Sequence, residues 1–207
     1  MYVLTFIRRK GAKSLPLEEL CDKLNTLEPF IPFTRTYPDE LQGAFNHPEL
    51  AIRAFLLGAL YNGYWIGIGV GGLRAPRFAM ALGAVGIPEC SGEAISYSRL
   101  AVEQAPTGAP SKCVVVLGHD QKLSQHATGI ARLLYRVCAE RSEAENRVIS
   151  LLIPGVRGQQ KAVAQALGIS SQAVSKTLVR AQWHEQEAAL PVLQELLSSI
   201  HRLTPKH

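Results

Sequence analysis

Between Val163 and Val179 the chain reads VAQALGISSQAVSKTLV, two short apolar-periodic segments parted by Gly168. A glycine there can take the positive φ that ends a first helix, and Ser170 or Ser171 can cap the free amides of a second. Ala164 is small enough to let two helices approach closely, while Leu167, Ile169, Val174 and Leu178 supply a shared apolar seam. The spacing predicts a helix-turn-helix, and a supporting helix must lie upstream to cover that seam.

With Val174 and Leu178 facing inward, Ser171, Gln172, Ser175, Lys176 and Arg180 fall on the outer side of the second helix. Gln can pair with adenine edges, hydroxyls serve bases or phosphates, and Lys and Arg neutralise phosphate or read guanine. From Arg147 to Trp183 no Asp or Glu interrupts Arg147, Arg157, Lys161, Lys176 and Arg180. The expected partner is double-stranded DNA, contacted by Ser170, Ser171, Gln172, Ser175, Lys176 and Arg180, with Lys161 and Arg157 in support. Two blander readings stay open: a helical hairpin whose basic face meets only water, and a tri-helical unit that contacts another protein.

The 207 residues can hold one sizeable domain and a small one. With 47% hydrophobic and 19% charged residues, the chain has apolar material for a core and is not disordered over most of its length. The net charge of +5 favours anionic partners. Cys21, Cys90, Cys113 and Cys138 show no paired spacing and no accompanying His pattern, so they read as reduced thiols rather than zinc ligands. MYVLTFIRRKGAK sets its apolar run before its basic cluster, the reverse of a secretory signal, and no apolar stretch nears the roughly 20 residues of a membrane span. A cytoplasmic protein with no membrane partner is expected.

Along the chain, Tyr2 to Ile7 reads as a strand and Ser14 to Leu27 as a helix capped by Ser14. Phe33 to Tyr37 and Leu41 to Phe45 flank a turn at Pro38, Asp39 and Glu40, a hairpin pattern. Asn46 is the expected cap of a helix over Pro48 to Leu60, and Trp65 to Val70 is the next strand. After a Gly- and Pro-rich stretch from Gly71 to Cys90, Ser91 opens a helix that ends by Pro106. A turn over Thr107 to Pro110 leads to a strand from Lys112 to Leu117, apolar enough to be buried on both faces. The order predicts an α+β fold, with helices on one side of a mainly antiparallel sheet as in ferredoxin-like folds. A long helix spans His119 to Arg141. Ser142 with Glu145 forms a capping-box signature, opening a helix that stops at Pro154 and Gly155. Beyond Arg180 the helical pattern runs on to Ile200, with Pro191 as a kink or break. The expected division is 1–118 for the α+β domain and 119–207 for a helical domain, its helix-turn-helix at about 142–181.

The segments YPDELQGAF, WIGIGVG and SGEAISYSRLAVE, followed by GISSQAVSKTLVRAQW, resemble the SatD family of bacterial proteins over nearly the whole chain. The resemblance implies a nucleotidyl-cyclase-like α+β domain followed by an all-α helix-turn-helix. The family's hairpin resembles Gly-Asp-Glu-Phe-Gln where Pro38, Asp39, Glu40, Leu41 and Gln42 stand here. In active cyclases of this fold one carboxylate on the first strand joins another at the hairpin to hold metal ions. Here the first strand offers Thr5, Arg8, Arg9 and Lys10 and no acid, so no catalytic residue, metal ligand or cofactor is assigned. Asp39 and Glu40 then read as hairpin-turn residues, with a metal or nucleotide role as the enzymatic alternative.

Arg8, Arg9, Lys10 and Lys13, with Arg35, form a second basic group that could receive an anionic small-molecule effector. Gly67, Gly69 and Gly72 fit Gly-x-Gly-x-x-Gly, but they lie within a strand and Pro76 disturbs the helix a pyrophosphate would need, so close packing is the better reading. His47, His119, His126, His184 and His201 form no triad or ligand pattern. The expectation is a bacterial transcription regulator, a homodimer reading repeated half-sites, with the N-terminal domain for sensing or assembly. An adaptor that contacts RNA polymerase is the remaining alternative.

Overall fold

A computed structural model of the chain describes residues 1–12, 15–76, 85–107, 113–153 and 156–205. Along them run β1 (Tyr2–Arg8), α1 (Leu17–Asn25), β2 (Ile31–Tyr37), β3 (Glu40–Phe45), α2 (Pro48–Leu60), β4 (Tyr64–Val70) and a 3-10 turn (Ile87–Glu89). There follow α3 (Glu93–Gln104), β5 (Val114–Gly118), α4 (Gln121–Ala139), α5 (Glu143–Ile149), α6 (Gln160–Leu167), α7 (Ser171–Arg180) and α8 (Trp183–Arg202). The architecture is mixed α+β: among the described residues, one five-stranded sheet and eight α-helices, with the C-terminal part helical.

The strands lie in the order β2-β3-β1-β4-β5. β1 is antiparallel to both neighbours, with Tyr2 opposite Phe45 and Val70, whereas β5 runs parallel to β4. A parallel neighbour needs a crossover, and α3 provides it. Because side chains alternate across a strand, Tyr2, Leu4 and Phe6 of β1 and Tyr64, Ile66, Ile68 and Val70 of β4 share one face. They join Phe33, Phe45 and Phe55 in the principal core. Each such large apolar side chain, once fully buried, contributes about 1.5–3 kcal/mol.

The opposite face belongs to α3, so the helices cover both sides of the sheet and not one, as the sequence led us to expect. The cause is in β4. A Cβ on Gly67 would sit 2.2 Å from the Ser98 carbonyl oxygen, and one on Gly69 would sit 2.1 Å from that of Ala94. Bare glycine backbone lets α3 lie directly on the strand, the close-packing role expected for these residues. Thr5 and Gln42 are fully buried against Ser98 of α3: Gln42 Nε2 donates to Thr5 Oγ1 at 2.8 Å, Thr5 Oγ1 lies 2.7 Å from Ser98 Oγ, and Gln42 Oε1 is buried without a hydrogen-bond partner.

The principal core draws on both sides of residue 118. Ala127, Ala131, Leu134 and Cys138 of α4 and Leu193, Leu197 and Ile200 of α8 belong to it. A separate cluster holds Val148, Val163, Ala164, Val174 and Leu178, with Ile149, Leu152, Leu167 and Trp183 partly buried against it. The packing therefore sets α5, α6 and α7 apart as a small unit and assigns the long helices before and after it to the sheet.

Several local expectations change. The cap of α2 is His47 rather than Asn46, with Pro48 in the first turn, and α3 starts after Gly92 at φ 138° while Ser91 forms a bridge with Arg74. α8 runs through Pro191 without interruption; the break falls earlier, at Gln182, whose φ is 51°. Ser14, Lys112, Pro154, Gly155 and most of the turn at 107–110 lie outside the described residues, as do 77–84. No helix among the described residues is long and apolar enough to cross a membrane.

Candidate nucleic-acid interface

The small unit is fixed by local chemistry at each joint. Ser142 Oγ accepts from Glu145 N at 3.3 Å, and a Glu145 carboxylate oxygen accepts from Ser142 N at 2.9 Å, so the capping box opens α5. Those bonds, first from the Ser142 backbone and then from its hydroxyl, hold the Glu145 carboxyl below its ordinary range. Ile153 and Val156, ahead of α6, are held by a residue with no sequence signal. Gln159 Oε1 accepts from Ile153 N at 2.8 Å, while its Nε2 donates to the carbonyls of Ile153 at 2.7 Å and Val156 at 2.8 Å.

α6 ends at Gly168 with φ 65°. Ile169 N donates to Ala164 O at 3.0 Å and Gly168 N to Gln165 O at 3.3 Å, the bonding pattern of a Schellman motif. Ser170 Oγ then accepts from Ala173 N at 3.1 Å and caps α7. Val174 is fully buried, Leu178 nearly so, and both meet Val163 and Ala164 in the seam. Ile169, expected in that seam, is 41% exposed. The Schellman bond places it past the helix end, outside the interhelical contact. Thr177 takes an inward place instead, buried despite its hydroxyl.

Ser171, Gln172, Ser175, Lys176 and Arg180 are all exposed along α7. Ser170 is exposed too; its oxygen is engaged by the cap, which leaves the hydroxyl proton for a ligand. Lys161 stands exposed on the first turn of α6, and Arg157 is exposed in the preceding loop. Val179, at 65% exposed, joins Ser175, Lys176 and Arg180 around an open groove of about 520 Å³, and its inward-looking apolar character hid it from a pattern reading. Among the described residues one carboxylate pairs with this face: Glu145 lies 3.8 Å from Arg180 Nε, and the arginine side chain is still 69% exposed. At that length and exposure the pair contributes little.

The end of α7 is tied to the sheet domain. Arg141 Nε donates to Ala181 O at 2.8 Å, and burial lowers the Arg141 guanidinium from its ordinary value without discharging it. Nearby, burial pushes the Cys138 thiol up to about 11. None of the four cysteines forms a disulfide.

The hairpin and the β1 basic group are arranged differently from a shared site. Asp39 is exposed at the turn, whereas Glu40 is buried and accepts a hydrogen bond from the Thr36 hydroxyl. Arg9 is engaged in part by its neighbours: its Nη2 donates to Asn62 O at 2.6 Å and Asn62 Oδ1 at 2.9 Å, its guanidinium stacks 5.3 Å above Trp65, and its buried Nε has no hydrogen-bond partner. Arg8 and Lys10 remain exposed beside it, lining an open groove with Ile7 and Trp65. Arg35 pairs with Glu18 at 2.8 Å, and Lys13 lies outside the described residues. Among the described residues no cluster of three His, Cys, Asp or Glu side chains could hold a metal ion. Comparison with protein-family models, with curated proteins and with solved structures finds no match, so the site is read from its geometry.

Proposed function

We propose that the chain is a DNA-binding transcription regulator that lays α7 in a major groove. The observation that carries this reading is the two-sidedness of α7. Val174, Thr177 and Leu178 anchor it, while Ser171, Gln172, Ser175, Lys176 and Arg180 stand exposed on a surface whose sequence holds no acid from Arg147 to Trp183. Lys176, Arg180, Lys161 and Arg157 neutralise phosphates and fix the register; Gln172 and the serines reach base edges. A single small unit binds weakly, so a homodimer reads two half-sites one helical turn or a multiple apart. The expected SatD-like organisation fits this reading, and the β2-β3-β1-β4 order with its antiparallel pairs supports a ferredoxin-like, cyclase-like N-terminal region used for sensing or assembly.

The enzymatic alternative, nucleotidyl transfer at Asp39 and Glu40, has little support: Glu40 is occupied by Thr36, and β1 brings Thr5 and no carboxylate to the sheet beside it. Fluorescence-anisotropy titration of the purified chain against labelled genomic fragments tests the regulator reading. Saturable binding that weakens as salt rises is the expected result, and no binding at low salt removes the reading. Incubation with nucleoside triphosphates and magnesium should give no turnover. Capture of RNA polymerase in the absence of DNA would favour the adaptor reading instead.

A further inference from the structure

Strand pairing between two copies is obstructed at both edges of the sheet. On β5, Val116 N donates to Thr128 Oγ1 at 2.9 Å, that hydroxyl donates to Val116 O at 3.1 Å, and Arg132 Nε donates to Val114 O at 3.2 Å. On β2, Asn25 does the same for Phe33, accepting from its N–H at 2.8 Å and donating to its carbonyl at 3.0 Å. Edge groups spent on side chains do not template a further strand. A contact between copies therefore falls to the helical surfaces.

One helix carries the pattern for it. Along α4 the exposed residues Lys122, His126, Gly129, Leu133 and Arg136, with the cap residue Glu140, follow one another at alternating steps of four and three, the spacing of a coiled-coil seam. Leu133 is 65% exposed in the middle of this stripe, and the half-buried Leu123, Ile130 and Val137 flank it on one side. Gly129 is the telling residue. A glycine inside a helix loses more backbone freedom than any other residue, and this one has no reason within the chain: among the described residues a Cβ there would meet nothing within 4 Å. Gly58 of α2 shows the contrast, since its Cβ would strike the Phe6 ring at 2.4 Å. The bare site on Gly129 opens outward, one turn from the projecting Leu133.

We propose that α4 pairs with α4 of a second copy, antiparallel about a two-fold axis level with Ala131. In that register Leu133 fills the space over the partner's Gly129, Lys122 meets the partner's Glu140, and symmetry makes each contact twice. Ile130 meets its own copy near the axis. His126 faces the partner's Arg136, a position whose charge is already met by Glu140 of the same chain at 2.7 Å, and Arg132 is drawn back to its own Val114. Slipping the pair by one heptad would set Leu133 against Lys122 or Arg136, and a parallel pair would set Lys122 on Lys122 and leave Gly129 facing Gly129.

From Lys122 to Glu140 the helix rises about 27 Å, so the antiparallel pair holds the two ends of α4, each leading into its small unit, about that far apart. Successive turns of one face of DNA lie about 34 Å apart, a separation within reach of small units placed beyond those ends. This consequence rests on the DNA-binding reading; the pairing itself rests on α4.

The experiment is sedimentation equilibrium of the full chain at low salt, without DNA, up to about 200 µM, because an interface of two helices is small. A monomer–dimer equilibrium with a Kd on the order of 10 µM is expected. Leu133→Glu should weaken it at least about ten-fold. Lys122→Glu and Glu140→Lys each turn two attractions into two repulsions and should each weaken it about ten-fold. An equimolar mixture of those two variants restores both attractions and should return to within about three-fold of the unaltered Kd. Val192→Glu, on the exposed side of α8, should leave the Kd unchanged. A chain that stays monomeric throughout, a Kd unmoved by Leu133→Glu, a mixture no tighter than its components, or dissociation by Val192→Glu overturns the proposal. A dimer that binds no DNA would sink the regulator reading alone, and a DNA-binding monomer would sink the pairing alone.

Discussion

Arg141 Nε and the carbonyl oxygen of Ala181 stand 2.8 Å apart, forty residues distant in the chain, and their hydrogen bond joins the segment after α4 to the cap of α7. A bond from a charged donor is worth about 1.5–3 kcal/mol. Arg141→Leu should therefore lower the chemical denaturation midpoint by an equivalent amount, with the loss concentrated in the small unit. Hydrogen exchange should show α7 amides deprotected more than those of β1. Equal deprotection of both would place the effect elsewhere.

Lys176 is exposed and unpaired with any carboxylate in the salt bridges of the described residues. On the DNA-binding reading, Lys176→Ala removes one phosphate contact and should reduce the magnitude of the slope of log K against log salt by about 0.9. Gln172→Ala should leave that slope alone and change which sequences are preferred. If both variants change only the slope, base reading by α7 is lost from the account.

Gly168 combines φ 65° with open space, for a Cβ there would meet nothing within 4 Å. Its substitution is thus a measure of backbone strain alone. Gly168→Ala should destabilise by about 1–2 kcal/mol, and Gly168→Asn by less, since Asn tolerates the left-handed region. Thermal denaturation of the two variants checks the order.

Gly69 is the contrasting case. Its Cβ would lie 2.1 Å from Ala94 O and 2.3 Å from Ser98 N, both backbone atoms of α3. Gly69→Ala must push the helix off the sheet, and a loss of about 3 kcal/mol or more is expected from the overpacking. A near-neutral result in urea denaturation would mean that α3 does not rest on β4.

Glu145 sets an acid limit for the small unit. Its carboxyl is held below the ordinary range by the Ser142 backbone and hydroxyl, so the ionised form is favoured by folding. Stability from this source is complete above the unfolded value of about 4.3 and disappears as pH falls through the lower folded value. Glu145→Gln should flatten that part of the stability curve, read by circular dichroism across an acid titration; a variant curve parallel to the original would show that the cap does not titrate.

The two short helices and the turn at Gly168 were legible because their signals are local. Gly168, Ser170 and the seam of Val163, Val174 and Leu178 sit within one window, and each has a single mechanical role. The strands were legible for a similar reason, since alternation in Tyr2 to Phe6 and Tyr64 to Val70 needs no distant information. What stayed hidden depends on partners. Periodicity tells which side of α4 and α8 is apolar but not what that side meets, and so it does not show that Ala127, Leu134, Leu193 and Leu197 join the core that includes the sheet's buried face. Ile169 looked inward because a pattern cannot see the chain leaving its helix. The clamp made by Gln159 and the Arg141 bond to Ala181 carry no sequence signature, because each depends on backbone positions assembled only in the fold.

Both ends of the small unit are rooted in one core: α4 enters it and α8 leaves it, and the apolar side of each belongs to the same cluster as the buried face of the sheet. A head moored at two points cannot swing as it would on a flexible tether. Whatever α7 touches, its aim is therefore decided by the sheet domain, and in a pair of chains the distance between the two reading helices becomes a property of how those larger bodies meet.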